Sequence, residues 1–226
     1  MLVTLYASRI AVTMKFAPEG YLFIAVSAAV SALCLWAGGA GFAAVPVLIT
    51  FFMFYFFRDP ERVVPHEQGL FVSPADGKVI VVRETDETEY LHARVTQISI
   101  FMSPMDVHVN RVPCDGKVKL VKHTKGMFLA AYKDEASVRN EHIDMVLETR
   151  YGDVLVRQVA GFVARRAVCR VTEGDVLQRG ERYGIIKFSS RVDVCVPKDA
   201  TVKVQTGDMV RAGETVLCKV GERSSS

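Results

Sequence analysis

One stretch limits this chain more than any other: from Tyr21 to Phe57 there are 37 residues without a single charge, bounded by Glu19 and Arg58. A soluble helix needs a polar face, and none can be drawn on this run. As one straight helix it would reach about 55 Å, well past a hydrocarbon core of about 30 Å. The cluster Gly38-Gly39-Ala40-Gly41 offers a break, leaving apolar halves at 21–37 and 42–57. Each half is near the short limit for crossing a bilayer, so the run predicts a helical hairpin in the membrane. One spanning helix with an interfacial partner is the alternative. Arg9 and Lys15 precede the run and Arg58 and Arg62 follow it, which suits a hairpin with both ends in the cytoplasm. A cleaved signal peptide fits poorly, because the run is too long and no small-residue cleavage site follows it. Residues 1–20 read as a lead-in, 21–57 as the anchor, 58–220 as one β-rich domain and 221–226 as a disordered tail.

The net charge of +3 is too weak for a nucleic-acid partner, and the five scattered cysteines form no CxxC pair. They read as reduced thiols. No histidine pair has the spacing of a metal site.

The domain is expected to be mainly β. Leu70–Val82 reads as strand, turn, strand around Pro74-Ala75-Asp76-Gly77, which makes Asp76 by default a turn residue. Residues 148–153 predict a hairpin turn and 128–141 a weak helix. The pattern GDxxxxGE occurs at 174–181 and again 33 residues later at 207–214, with glycines suited to turns at positive φ. This repeat resembles lipoyl-domain-like hybrid barrels and implies two quasi-symmetric halves. Lys117, Lys119, Lys122, His123 and Lys125 form a basic stretch. It is either a solvated strand face or a patch drawn to anionic lipid, worth about 1 kcal/mol per cation near the surface.

Two serines, Ser189 and Ser190, separate an apolar run from the alternating Arg191–Val196. Composition alone reads them as a turn or bulge. The wider string GERYGIIKFSSRVDVCVP, however, resembles the self-cleavage segment of the phosphatidylserine decarboxylases in their short bacterial form. FRDPER (57–62), SPADGKV (73–79), SPMDVHVNRVP (103–113), Asn140-Glu141 and GFVARR (161–166) match the family pattern as well. The resemblance spans about Phe16 to Leu217.

It implies that the chain breaks before Ser190, which becomes a pyruvoyl group, leaving chains 1–189 and 190–226 associated. His108 is implied as the catalytic base and Asp76 as the carboxylate that holds its ring, the logic of a serine triad. The pyruvoyl would form a Schiff base with phosphatidylserine, release carbon dioxide and yield phosphatidylethanolamine. An amino acid's α-carbon needs such a carbonyl sink, because side chains supply none. Arg165, Arg166 and Lys125 are candidates for the lipid phosphate. The expected partners are phosphatidylserine and anionic membrane lipids, with room for a homodimer, at the cell membrane with the catalytic domain on its cytoplasmic side. Position 189 departs from the family, which carries glycine there. Serine in a strained or positive-φ conformation costs about 1–2 kcal/mol. It is either a tolerated variant or a block to processing, in which case the chain would be an uncleaved lipid-binding module. A protease-like use of Ser190, His108 and Asp76 lacks a GxSxG elbow.

Overall fold

The computed structural model describes residues 15–127, 139–161, 166–187 and 190–221. The expected lead-in up to residue 14, most of the 128–141 helix and the tail from 222 lie outside the described residues, as do Ser189 and Arg165. Among the described residues one α-helix, α1 (Tyr21–Phe56), entered through a 3-10 turn at Pro18–Gly20, is accompanied by sixteen strands. These are β1 (Lys15–Phe16), β2 (Arg58–Asp59), β3 (Leu70–Val72), β4 (Gly77–Glu87), β5 (Ala93–Met102), β6 (Val109–Arg111), β7 (Gly116–Thr124) and β8 (His142–Thr149). The second half holds β9 (Gly152–Ala160), β10 (Ala167–Cys169), β11 (Val176–Leu177), β12 (Arg182–Ile186), β13 (Ser190–Pro197), β14 (Thr201–Val202), β15 (Met209–Val210) and β16 (Val216–Lys219).

The helix is apolar on every side, and large side chains such as Leu22, Trp36, Phe42 and Phe51 face outward. It is long and apolar enough to cross a membrane. It is not continuous: Gly39 has φ 74° and ψ −169°, a backbone conformation open to glycine alone. Ser31 Oγ and Thr50 Oγ1 lie 3.0 Å apart although 19 residues separate them. At 1.5 Å per residue an unbroken helix would hold them about 28 Å apart. The stretch before the helix returns to its end, with Lys15 pairing with Asp59 and Phe16 with Arg58.

The remainder is a mainly β domain. Its largest sheet runs β11-β7-β8-β9-β13-β5-β4-β15, curled around one core, with smaller sheets β10-β12-β6 and β14-β16-β3 closing it. Strand β13 lies between β5 and β9 and is buried along its whole length. Alternation places Val192, Val194 and Val196 in the core with Ile98, Ile100 and Val156. The opposite face carries Arg191, which bonds Asp193 and Ser99 and is fully buried. The turn expected at 148–153 joins β8 to β9 with Thr149 opposite Gly152.

The GDxxxxGE copies have matching surroundings. Gly174 and Gly207 donate to Val118 and Val79, and Gly180 and Gly213 to Val112 and Ser73. All four glycines have positive φ. Each copy thus clasps both ends of one copy of a second repeat that the sequence reading missed: SPADGKV at 73–79 and VPCDGKV at 112–118. Strands β15–β4 and β11–β7 are its paired products, and β4 and β7 each carry a bulge three residues in.

Candidate active site

The chain passes repeatedly between the large sheet and the β10-β12-β6 sheet, and two of these passages meet at the site. One is the connection 103–108 from β5 to β6; the other is 187–189, from β12 to β13. Both strand pairs are hydrogen-bonded, with Met102 opposite Ser190 and Val109 opposite Ile185. The ends of the two crossings are therefore held side by side, and Ile186 N donates to His108 O at 3.3 Å. This topology brings His108 and Ser190, 82 positions apart in sequence, to one place.

His108 is oriented by a local turn. Asp106 Oδ2 accepts Ser103 N at 2.7 Å and Ser103 O accepts Asp106 N at 3.0 Å. The turn directs Asp106 O at His108 Nδ1, 3.0 Å away. A carbonyl only accepts, so Nδ1 carries the proton and Nε2 bears the lone pair. Nε2 is buried with no hydrogen-bond partner among the described residues. The ring of Phe56, the last residue of α1, covers the imidazole with centroids 4.1 Å apart. Burial lowers the His108 pKa to about 4, the bond to Asp106 O opposing and the Arg58 charge adding to the shift. Arg58 in turn donates to Met105 O at 2.8 Å and to Tyr55 O at 2.7 Å, and Tyr55 OH also reaches Met105 O. The end of the apolar helix and the histidine loop are thus one packed unit, continued by Phe57, Val107, Val109 and Ile185.

Ser190 is fully buried, and among the described residues its hydroxyl bonds Met102 Sδ alone, at 3.4 Å. Sulfur is a weak acceptor, so little holds the hydroxyl in that rotamer. The same sulfur receives Asn110 Nδ2 at 3.7 Å, and Asn110 Oδ1 accepts Gln158 Nε2 at 2.8 Å. Ser190 is thus bordered by an amide pair that the sequence reading did not single out. Asn110 lies in the SPMDVHVNRVP string, on β6 two residues past His108, which was the available signal. Gln158 had none.

Asp76 is not placed against the imidazole as expected. Its Oδ1 accepts Ala212 N at 2.7 Å and its Oδ2 pairs with Arg62 at 2.7 Å. Burial pushes its carboxyl above the ordinary value, opposed by Arg62 and the Ala212 N–H, while Asp106 adds to the rise. The equivalent residue of the second repeat, Asp115, accepts Arg179 N at 2.8 Å, and 179 and 212 are the same position of GDxxxxGE. The turn role anticipated from Pro-Ala-Asp-Gly is what the two halves share. Its neighbour Pro74 supports the site, because Pro74 O accepts Arg111 N at 2.9 Å and so holds β6.

Of the cations expected to meet phosphate, Arg166 is exposed and its carbonyl accepts Lys187 N at 3.3 Å, beside the crossing to Ser190. Lys125 is exposed just past β7, which β8 and β9 separate from β13 in the sheet. Lys187, which was overlooked, holds its ammonium 5.2 Å from the Phe23 ring centroid at the start of the helix.

Comparison with known proteins agrees with this geometry. The family model described as phosphatidylserine decarboxylase matches residues 49–218. A protein of Desulfotalea psychrophila named phosphatidylserine decarboxylase proenzyme is 45% identical over 175 residues, 77% of this chain and 82% of that one. Proteins of the same name from Syntrophotalea carbinolica and Geotalea uraniireducens are 45% and 43% identical, covering 88% and 89% of this chain and 94% of each relative. With the matched span enclosing the buried histidine, the neighbouring serine and both repeats, the chain belongs to the phosphatidylserine decarboxylase family.

Proposed function

We propose that this chain is a membrane-anchored decarboxylase that converts phosphatidylserine to phosphatidylethanolamine and carbon dioxide, and that it first cuts its own backbone between Ser189 and Ser190. The observation that carries the reading is His108 Nε2, a neutral lone pair without a partner among the described residues, beside the crossing that leads to Ser190. A serine hydroxyl attacks a carbonyl only when a base takes its proton. His108 takes it; Ser190 Oγ bonds to the carbonyl carbon of residue 189; the C–N bond breaks and the nitrogen receives the proton. Loss of the α-proton then expels the new ester as a carboxylate at 189. Hydrolysis of the resulting end releases ammonia and leaves a pyruvoyl group at 190. Ser190 fits the precursor of such a group, being buried at the head of a strand with its hydroxyl free of any strong bond.

The group supplies a ketone that condenses with the lipid amine and receives the electron pair left when carbon dioxide departs. The chain's own residues do the rest. His108 holds the proton delivered to the substrate carbon, its tautomer set by Asp106 O. Asp76 acts at one remove, fixing the turn whose Pro74 carbonyl holds β6. Arg166 and Lys187, bonded to each other through the backbone close to the cut, suit the lipid's anionic group, and Arg165 is a further candidate from its place in the sequence. Chains 1–189 and 190–226 stay together, because β13 keeps ladders to both β5 and β9 after the cut.

For the anchor we infer a helical hairpin turning at Gly39, with both ends on the cytoplasmic side. The Ser31–Thr50 contact and the β1–β2 pair support it. The doubled repeats support a barrel of the lipoyl-like hybrid kind. The test is expression of the intact chain in membranes with phosphatidylserine labelled in its carboxyl group. Two fragments and released label are expected, and Ser190→Ala and His108→Ala should abolish both. An intact wild-type chain that binds anionic vesicles and releases no label would instead establish the uncleaved lipid-binding module.

A further inference from the structure

The amide of Gln158 is fixed in orientation by its neighbours. Asn110 Nδ2 faces Pro74 O at 3.4 Å, which only a donor can do. Asn110 Oδ1 therefore faces Gln158, whose Nε2 must be the atom donating to it at 2.8 Å. That leaves Gln158 Oε1 as an acceptor, and it is buried with no partner among the described residues. Gln158 itself is 1% exposed and Asn110 0%. A fold seldom leaves such an oxygen empty. It is also crowded into place: a Cβ on Gly184 would stand 2.9 Å from Gln158 Nε2, so the glycine of Tyr183-Gly184-Ile185 keeps room for this amide.

Its position is specific. Gln158 stands opposite Val192 on β13, two residues along from Ala160 opposite Ser190 and therefore on the same, core-facing side of the sheet. Asn110 and Ser190 share the sulfur of Met102.

We propose that Gln158, aimed by Asn110, is a positioning residue for self-cleavage, its Oε1 accepting an N–H of Ser190 once that nitrogen has become an amine. The inference rests on the self-cleavage proposed above. In the first step the Oγ–H and C–N bonds break and C–O and N–H bonds form, with the hydroxyl proton ending on nitrogen. An amide nitrogen offers one N–H; the amine that replaces it offers two. Inside a dry sheet the second needs an acceptor, or the ester reverts to amide. Gln158 Oε1 is the spare acceptor on the diagonal neighbour of Ser190, a separation that a long side chain can span.

The experiment compares wild type, Gln158→Met and Gln158→Glu in the membrane-bound full chain. Self-cleavage is followed on gels, and ester is trapped with hydroxylamine, which cuts esters and spares amides. For Gln158→Met, a fall of tenfold or more is expected in both trapped ester and spontaneous cleavage, with elimination per ester unchanged. In Gln158→Glu, a protonated carboxyl reproduces the donor and acceptor, so most of the wild-type ester should return. A purely structural role would lower the melting temperature without this selective loss of ester. Should Gln158→Met fail to fold, Gln158→Asn, which withdraws the oxygen by one bond, is expected to show the same loss. Wild-type ester in whichever of these two folds overturns the inference. A wild-type chain that never cleaves overturns the self-cleavage reading itself.

Discussion

Removing the aromatic cover from His108 tests how the anchor and the active site are joined. The Phe56 ring lies 4.1 Å from the imidazole centroid, and both residues are fully buried. Burial is the largest cause of the fall in the His108 pKa from 6.5 to about 4. At about 1.36 kcal/mol per unit, that difference is a penalty of about 3 kcal/mol on the charged ring. Phe56→Ala lets water reach one face and should return at least one unit, moving the pKa to about 5 or above. Phe56→Leu keeps the site dry and should move it by less than half a unit. The assay is the rate of self-cleavage of freshly made chain between about pH 3 and 8. Cleavage needs the neutral ring, so the acid limb of the wild-type profile lies at the low end of this range. In Phe56→Ala the limb moves upward by about one unit and in Phe56→Leu it stays in place. Emptying the site also costs about 3–5 kcal/mol of stability, so each profile is measured on protein shown to be folded. Identical acid limbs in folded wild type and Phe56→Ala would refute the claim that the helix end sets the basicity of His108.

The same shift fixes a sign for stability. Because the folded pKa lies below the unfolded one, acid favours the unfolded chain: the His108 contribution is intact above about pH 6.5 and is lost progressively down to about pH 4, which Ser190→Ala precursor can report by denaturant melts across that window. Asp76→Asn should cost about 1–3 kcal/mol through the lost pairing with Arg62, yet leave the acid limb of cleavage in place; a moved limb would put the carboxylate on the imidazole after all. Gly184→Ala brings a Cβ to 2.2 Å from Val168 O and should separate β10 from β12, destabilising the domain by several kcal/mol in thermal melts and stopping cleavage. Ser189→Gly should cleave at least as fast as wild type, and persistence of its full-length band would overturn the account of position 189. Paired Ser31→Cys and Thr50→Cys in membranes should crosslink within one chain; no crosslink would contradict a turn at Gly39.

Much of this was legible because it lay in local chemistry. The charge-free run and its glycine cluster announced the apolar helix and its break. Pro-Ala-Asp-Gly announced a turn, and GDxxxxGE announced paired clasps. Positions fixed by long-range pairing were not legible. Gln158 sits in an alternating strand like many others, and only the register of β9 against β13 brings it beside Ser190. Phe56 reads as one more apolar residue of the anchor until the chain folds back over His108. Asp76 shows the reverse case. Its motif implied a hand on the imidazole, while Arg62 and Ala212 N, 14 and 136 positions away, take both its oxygens. The Asp106 carbonyl that sets the tautomer is a backbone atom, and no residue type marks it in sequence.

The central claim is a chemical change at one peptide bond, and mass spectrometry of the purified full chain reads it directly. The account predicts two chains, with residue 190 heading the smaller one as a ketone that hydride reduces and that amine reagents trap. A single intact chain, or a cut chain with an ordinary serine amine at 190, while phosphatidylserine is still decarboxylated, would contradict it.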